Sequence, residues 1–222
     1  PNMAGLVALA KQYINENQEK FAPYITDDQG EVDPNKLGDV ITNLMMSSAS
    51  PITDPNSNTF YSPRKQGAGL ANIADAAAAE AFLSVEGAPS AKLDLGDDDG
   101  KTGEYTMTFT VNSLSGEKET YTLDTTALTE KILKGQQVEY QTYHWDEAQQ
   151  KYTTETVTED FMSNEPYELT GVTVTYAGDN VSGSTVTVPA NGSTAVTVTL
   201  TLGDADRTYL EQYPNGIYVD GF

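Results

Sequence analysis

The sequence contains no cysteine. Disulfide bridges and thiolate metal sites are therefore excluded, and cysteine pairing carries no information on redox compartment. Histidine is almost absent as well, His144 being the only one. Basic residues are scarce: 12 Lys and Arg stand against 33 Asp and Glu, a formal net charge of −21 over 222 residues. Such a chain lacks the clustered positive charge with which proteins displace counterions from nucleic acid. The same acid excess opposes anionic membrane surfaces and favours solubility. No apolar run approaches the roughly 20 residues of a membrane span. Neither a nucleic-acid partner nor membrane insertion is expected. The chain does not open with the basic and apolar regions of a signal peptide; a secreted parent would carry that signal outside this window. There is no short-period repeat.

What is present falls into two textures, on a length that suits one large domain or one and a half ordinary ones. Residues 1–83 read as helix and loop. Met3 to Ile14 is apolar around most of its circumference, the pattern of a helix buried on all sides, and from Asn15 to Lys20 the run turns polar and should reach solvent. Asp33-Pro34 supplies an N-cap and a first-turn proline. Leu37, Val40, Ile41, Leu44 and Met45 follow as an amphipathic stripe that ends at Ser50-Pro51. A loop rich in Asn, Ser, Thr and Pro leads to Gln66-Gly67-Ala68-Gly69-Leu70. The alanine-rich stretch Asn72 to Leu83 is a strong helix former.

Residues 84–222 switch to a period of two. Tyr105, Met107, Phe109 and Val111 alternate with polar residues. So do Val172, Val174 and Tyr176, then Val186 and Val188, then Val196, Val198, Leu200 and Leu202. Residues of this kind suit a pleated, half-buried surface. Turn signals separate the runs at Asp99-Gly100, Ser115-Gly116, Gly178-Asp179-Asn180, Ala190-Asn191-Gly192 and Pro214-Asn215-Gly216. The fold class expected is α+β by segment, helical first, then an antiparallel β-sandwich of the immunoglobulin or fibronectin type III kind.

Five short stretches carry a family resemblance. Pro1-Asn2-Met3-Ala4-Gly5 resembles the tail of the serine motif G-T-S-M-A-x-P-x-x-A-G of subtilisin-like serine proteases, with Asn2 where His is common. Tyr61-Ser62-Pro63-Arg64-Lys65-Gln66-Gly67-Ala68-Gly69-Leu70 is similar to the S-P-R-x-Q-G-A-G segment near the end of the catalytic domain of cell-envelope subtilases, and Leu44-Met45-Met46-Ser47-Ser48-Ala49 to the L-M-x-T-A stretch before it. Val188-Pro189-Ala190-Asn191-Gly192-Ser193, with the closing Asn215-Gly216 through Asp220-Gly221-Phe222, resembles the fibronectin-type module that follows the protease domain in lactocepin-like enzymes. Asp220 stands where Glu is common. Residues 113–170 match only in texture.

The resemblance implies that residues 1–83 are the last part of a subtilisin-like α/β protease domain and that residues 84–222 are a fibronectin type III-like module. The parent would be a secreted serine endopeptidase, extracellular or attached to the wall of a Gram-positive bacterium. Its nucleophilic serine would lie just upstream of Pro1, at the positive end of the first helix, its own N–H helping to hold the oxyanion. In subtilases the Asp, the His and the oxyanion Asn all precede that serine, so no catalytic residue lies in this chain, and alone it is expected to be inactive. The implied partners are the remainder of the catalytic domain and, through the parent, protein substrates. Left uncovered, the first helix would favour self-association. Ser62, Pro63, Arg64, Gln66, Gly67 and Gly69 are expected to form a structural loop, its glycines packing against the end of the serine helix.

This chemistry requires no cofactor. The candidate ligands for Ca2+ are Asp97, Asp98 and Asp99 before Gly100, with Asp94 and Glu104 near enough in sequence to supplement them. An EF-hand template fails at both ends, at Leu95 and Thr106, so the segment reads as a solvated turn. His144 lacks Ser or Cys motif partners and reads as a strand or hairpin residue beside an aromatic. The alternative function is a non-catalytic cell-surface module that binds protein or glycan through Tyr143, Trp145 and Tyr152, residues that otherwise fill a core or cover a cross-strand pair. A calcium-stabilised spacer is the third reading.

Overall fold

The computed structural model describes residues 2–213 and 216–222, apart from the side chains of residues 134, 136–138 and 159–162. Five helices come first: α1 (Asn2–Glu16), α2 (Gln18–Ile25), α3 (Pro34–Ser47), the single turn α4 (Pro63–Gln66) and α5 (Ile73–Ala78). Strands β1 (Ala81–Ser84), β2 (Glu104–Ser113), β3 (Glu119–Thr122), β4 (Ala127–Asp146), β5 (Lys151–Glu168), β6 (Thr173–Ala177), β7 (Val181–Ser182), β8 (Thr185–Val188) and β9 (Ser193–Thr201) follow. Helix α6 (Asp204–Leu210) and β10 (Asp220–Gly221) close the chain. The architecture is α+β, and every strand pairing among the described residues is antiparallel.

The helices share one core. Ala10 and Ile14, Phe21 and Ile25, the stripe Leu37, Val40, Ile41, Leu44 and Met45, and Ala76 form a buried cluster that continues onto Phe82 and Leu114. Helix α3 starts as its sequence dictates: the Asp33 carboxylate accepts from the Asn35 N–H at 2.8 Å and Pro34 follows. It ends at Ser47, three residues before the expected Ser50-Pro51 stop. The Ser48 hydroxyl donates back to the Leu44 carbonyl at 2.8 Å.

Helix α1 departs from the expectation of full burial. Only Ala10 and Ile14 are buried, with Leu6 and Tyr13 half-buried beside them. These positions form one stripe that packs on α3 and α5. Met3, Val7 and Leu9 on the remaining face are 57%, 40% and 49% exposed. An apolar circumference permits burial on every side; a covering element must still supply it, and here one face meets none among the described residues. The polar run after Asn15 also hides α2. Asn17 breaks the axis, its side chain donating to the Tyr13 carbonyl at 2.8 Å, and Phe21 and Ile25 then bury one helical turn apart.

The alanine-rich helix stops at Ala78 rather than Leu83, and Ala81–Ser84 pairs with Thr110–Ser113. Helix propensity separates Ala from ordinary residues by only a few tenths of a kcal/mol each, whereas burying a Phe side chain contributes about 2 kcal/mol. Phe82, 3% exposed, fills the gap between helices and sheet and meets Tyr24 edge-to-face at 5.1 Å. The Tyr24 hydroxyl donates to the Ser113 carbonyl at 2.6 Å, joining α2 to the end of β2.

One sheet has the order β1-β2-β9-β6 and another β3-β8-β7. Val111, Val196 and Val198 of the first and Val186 and Val188 of the second form one buried cluster. The outward positions of the first carry threonine pairs across β2 and β9, Thr106–Thr199 at 3.2 Å and Thr108–Thr197 at 3.1 Å. The period-two pattern therefore placed its faces correctly. Strands β4 and β5 form a separate long hairpin that meets β10 only at Ala127 and Leu128. No helix among the described residues is long and apolar enough to cross a membrane.

Candidate functional site

The loop that carries the Ser-Pro-Arg resemblance is built by local capping. The Ser62 hydroxyl accepts from the Arg64 N–H at 3.1 Å, Pro63 opens α4, and Gly67, at φ +66°, ends it. Gln66 stitches the turn to the loop before it. Its side-chain oxygen accepts from the Ile52 N–H at 2.6 Å and its amide donates to the Tyr61 carbonyl at 2.5 Å. Asp54, 3% exposed, accepts from the Ser57 hydroxyl at 2.8 Å and the Tyr61 hydroxyl at 2.9 Å. Burial works to raise its pKa, and the hydrogen bonds from Ser57 and Tyr61 together hold it below the usual carboxylate range. Gly69 sits at φ +120°, and a Cβ there would stand 2.2 Å from the Ser50 carbonyl oxygen. Gly69 therefore packs closely on Ser50-Pro51 after α3, whereas a Cβ on Gly67 would meet nothing within 4 Å. The expected packing against the serine helix is not what forms, because the Ser50–Leu70 bridge pulls the loop to this side.

The other side of the same loop docks on the closing segment of the chain. The Ser62 hydroxyl donates to Oδ2 of Asp220 across 158 residues. The Arg64 guanidinium lies over the Tyr218 ring, 3.4 Å from its centroid. Phe60 meets Phe222 edge-to-face at 5.8 Å, and Lys65 pairs with Glu130 of β4 at 2.7 Å. The closing segment is held from its other side too. Thr126 and Phe222 exchange backbone hydrogen bonds of 2.8 and 3.0 Å, and the Thr129 hydroxyl donates to the Tyr218 carbonyl at 2.7 Å. A Cβ on Gly221 would stand 2.0 Å from the Thr126 carbonyl oxygen, so only glycine admits this approach.

Asp220 is the strained member. Its Oδ1 is buried without a hydrogen-bond partner among the described residues. Burial raises its pKa above the ordinary carboxyl value, against the lowering effects of the Ser62 hydrogen bond and the Arg64 charge. The contact joins the loop to the closing segment. Serine and carboxylate meet without a histidine: His144 is on the β4–β5 hairpin, with Thr142 Oγ1 at 3.1 Å and Glu155 at 3.5 Å.

The remaining expected residues lie elsewhere. Pro1 is outside the described residues, and Asn2, Met3, Ala4 and Gly5 form the exposed first turn of α1. Asp97 and Asp99 are exposed. Asp98 turns inward and accepts from the Thr102 and Gly103 N–H groups at 2.9 and 3.1 Å and from the Tyr105 hydroxyl at 3.0 Å. Those backbone bonds lower its pKa, while burial and the bond to Asp98 push Tyr105 up to about 12. Arg207 of α6 clamps the loop through the Leu202 carbonyl at 3.2 Å and the Thr102 carbonyl at 2.5 Å. Among the described residues, no group of three or more His, Asp or Glu is arranged to hold a metal ion.

Sequence reasoning singled out Ser62, Arg64 and Asp220 within separate motifs and missed that they meet. It quoted Tyr218 only as part of the closing stretch, and it missed Glu130 and Arg207. One signal was available: Gly221 between Asp220 and Phe222 announces a close backbone approach, though not its partner.

These features and the relatives of the chain fit a segment of a subtilase-related protein. Over its whole length the chain is 26% identical to a C5a peptidase of Streptococcus pyogenes, of which it spans 15%. It is 33% identical over 138 residues to a PI-type proteinase of Lactococcus lactis subsp. cremoris, a match covering 60% of this chain and 7% of the relative. Over 74 residues it is 38% identical to a PII-type proteinase of the same organism, covering 33% of this chain and 4% of the relative. No family model matches.

Proposed function

We propose that the chain is part of a secreted subtilisin-like serine endopeptidase that hydrolyses peptide bonds in proteins. In this reading residues 1–83 close the protease domain, and residues 84–222 are a fibronectin type III-like β-sandwich that packs on it and spaces it. The observation that carries the reading is the order of the motifs within a chain similar over its whole length to a C5a peptidase. The contact between Ser62 and Asp220 supports the packing role, because it joins the two segments that bear the resemblance. The two sheets that share a valine core support the sandwich.

The nucleophile would stand just before Pro1, and the remainder of the catalytic domain would cover Met3, Val7 and Leu9. The chain by itself has no base for a serine and is inactive; separated from its parent, it self-associates through the same face of α1. The parent acts outside the cell, secreted or wall-attached. It needs no cofactor, and a Ca2+ ion near Asp97 or Asp99 would be accessory.

The test uses the parent gene product with the residues before Pro1 in place. It is expected to hydrolyse casein and to lose that activity on reaction with phenylmethylsulfonyl fluoride, while the 222-residue chain shows none. Hydrolysis that survives replacement of the upstream serine by alanine refutes the reading, as does a parent without a Ser-Met-Ala stretch before Pro1.

A further inference from the structure

The β4–β5 hairpin is far longer than its anchorage requires. Its strands run 20 and 18 residues, yet beyond Leu128 and Glu168 it pairs, among the described residues, only with itself. A two-stranded ribbon is marginal in water, and large apolar side chains at its tip have no core to serve. The tip is nonetheless aromatic. Tyr143, Trp145 and Tyr152 share one face, since Trp145 is opposite Tyr152 in the register and Tyr143 is two residues before Trp145. They are 68%, 49% and 69% exposed.

The charge around these rings is mostly negative. From 138 to 158 there are four carboxylates, Glu139, Asp146, Glu147 and Glu155, against the single Lys151. Asp146 is occupied in the turn, accepting from the Ala148 and Gln149 N–H groups at 2.9 and 3.0 Å, whereas Glu139 and Glu147 are exposed. The rings do not form a flat platform of the kind on which a sugar ring stacks: Trp145 and Tyr152 are 5.1 Å apart at 68° to each other. Tilted rings with accessible π faces, set among carboxylates, suit an ammonium or guanidinium group.

We propose that this tip is a docking surface for a cationic polypeptide segment, whose Lys or Arg side chains enter the ring faces of Tyr143, Trp145 and Tyr152 and are balanced by Glu139 and Glu147. Beyond Leu128 and Glu168 the outer edges of β4 and β5 pair with no further strand among the described residues, and they give an extended segment backbone partners as well. The surface is independent of the protease reading.

Trp145 is the only tryptophan, so its emission reports binding directly. The 222-residue chain is titrated at low salt with a short peptide alternating Lys and Val, and in parallel with the same peptide carrying Glu for Lys. The Lys peptide is expected to shift Trp145 emission saturably and the Glu peptide to leave it unchanged. Tyr143→Ser, at an exposed position where folding is insensitive, should weaken binding about fivefold, and Glu139→Gln with Glu147→Gln by a similar factor. An unchanged affinity in Tyr143→Ser would reduce the interaction to bulk charge and overturn the proposal. So would no response to the Lys peptide, or a Trp145 shift produced by cell-wall glycan and not by peptide.

Discussion

Replacing Ser62 by alanine tests the joint between the loop and the closing segment. The hydroxyl does two things: it caps α4 through the Arg64 N–H, and it donates to Asp220. Loss of an N-cap costs about 1 kcal/mol, and loss of a hydrogen bond to a charged group about 1.5–3 kcal/mol. At neutral pH Ser62→Ala should therefore destabilise by roughly 2–4 kcal/mol, the upper end being favoured because Oδ1 of Asp220 already lacks a partner. The pH dependence separates the two parts. The folded-state pKa of Asp220 is raised, so its contribution to stability is fully present below the unfolded value and is lost as pH rises through the folded value. Removing the Ser62 donor raises the folded pKa further and deepens that loss. In acid Asp220 is protonated in both states and only the capping cost of about 1 kcal/mol should remain. Urea unfolding followed by circular dichroism at neutral and acid pH, for Ser62→Ala, Asp220→Asn and the double variant, measures all of this. A cost at neutral pH below about 0.5 kcal/mol, an equal cost at both pH values, or a double-mutant cycle with no coupling would refute the joint.

Four further outcomes are expected. Phe82→Ala, which empties the space between helices and sheet, should cost about 3–5 kcal/mol in urea unfolding. Gly69→Ala, facing the Ser50 carbonyl at a positive φ, should cost more than about 2 kcal/mol, and a soluble, unperturbed variant would show the loop to be wrongly placed. Arg207→Ala should accelerate hydrogen exchange at Thr102 and Gly103 without exposing β2 beyond Tyr105. In the same region Asp98→Asn should flatten the acid limb of the stability curve, since the lowered pKa of Asp98 contributes stability that disappears as pH falls through its folded value.

Much of the fold was legible where one rule acted alone. Asp33-Pro34 and the stripe from Leu37 to Met45 define α3 by capping and period, and the valine alternation defines the facing strands. The sequence misled where two rules competed. Alanine propensity favoured a helix to Leu83, and the tertiary value of a buried Phe82 paired with Asn112 decided for strand. A hairpin around His144 could be read, but not its turn or its length, because Glu147-Ala148-Gln149-Gln150 has neither Gly nor Pro; Gln150 takes the positive φ itself at 49°. Of the candidate site, the motifs could be read but not their meeting. A contact between residues 62 and 220 depends on how intervening segments fold, which no local pattern records.

The closing segment has a mechanical consequence. Residues 218–222 lie between two bodies, with Ser62 and Arg64 gripping one side and Thr126 and Thr129 the other. A pull on Phe222 is therefore not borne by the last strand alone. It is divided at once between the helical part, through Asp220 and Tyr218, and the root of the hairpin, through the Thr126–Phe222 pair. Two parallel bearings share the load, and the segment acts as a tie-rod that tightens one body against the other.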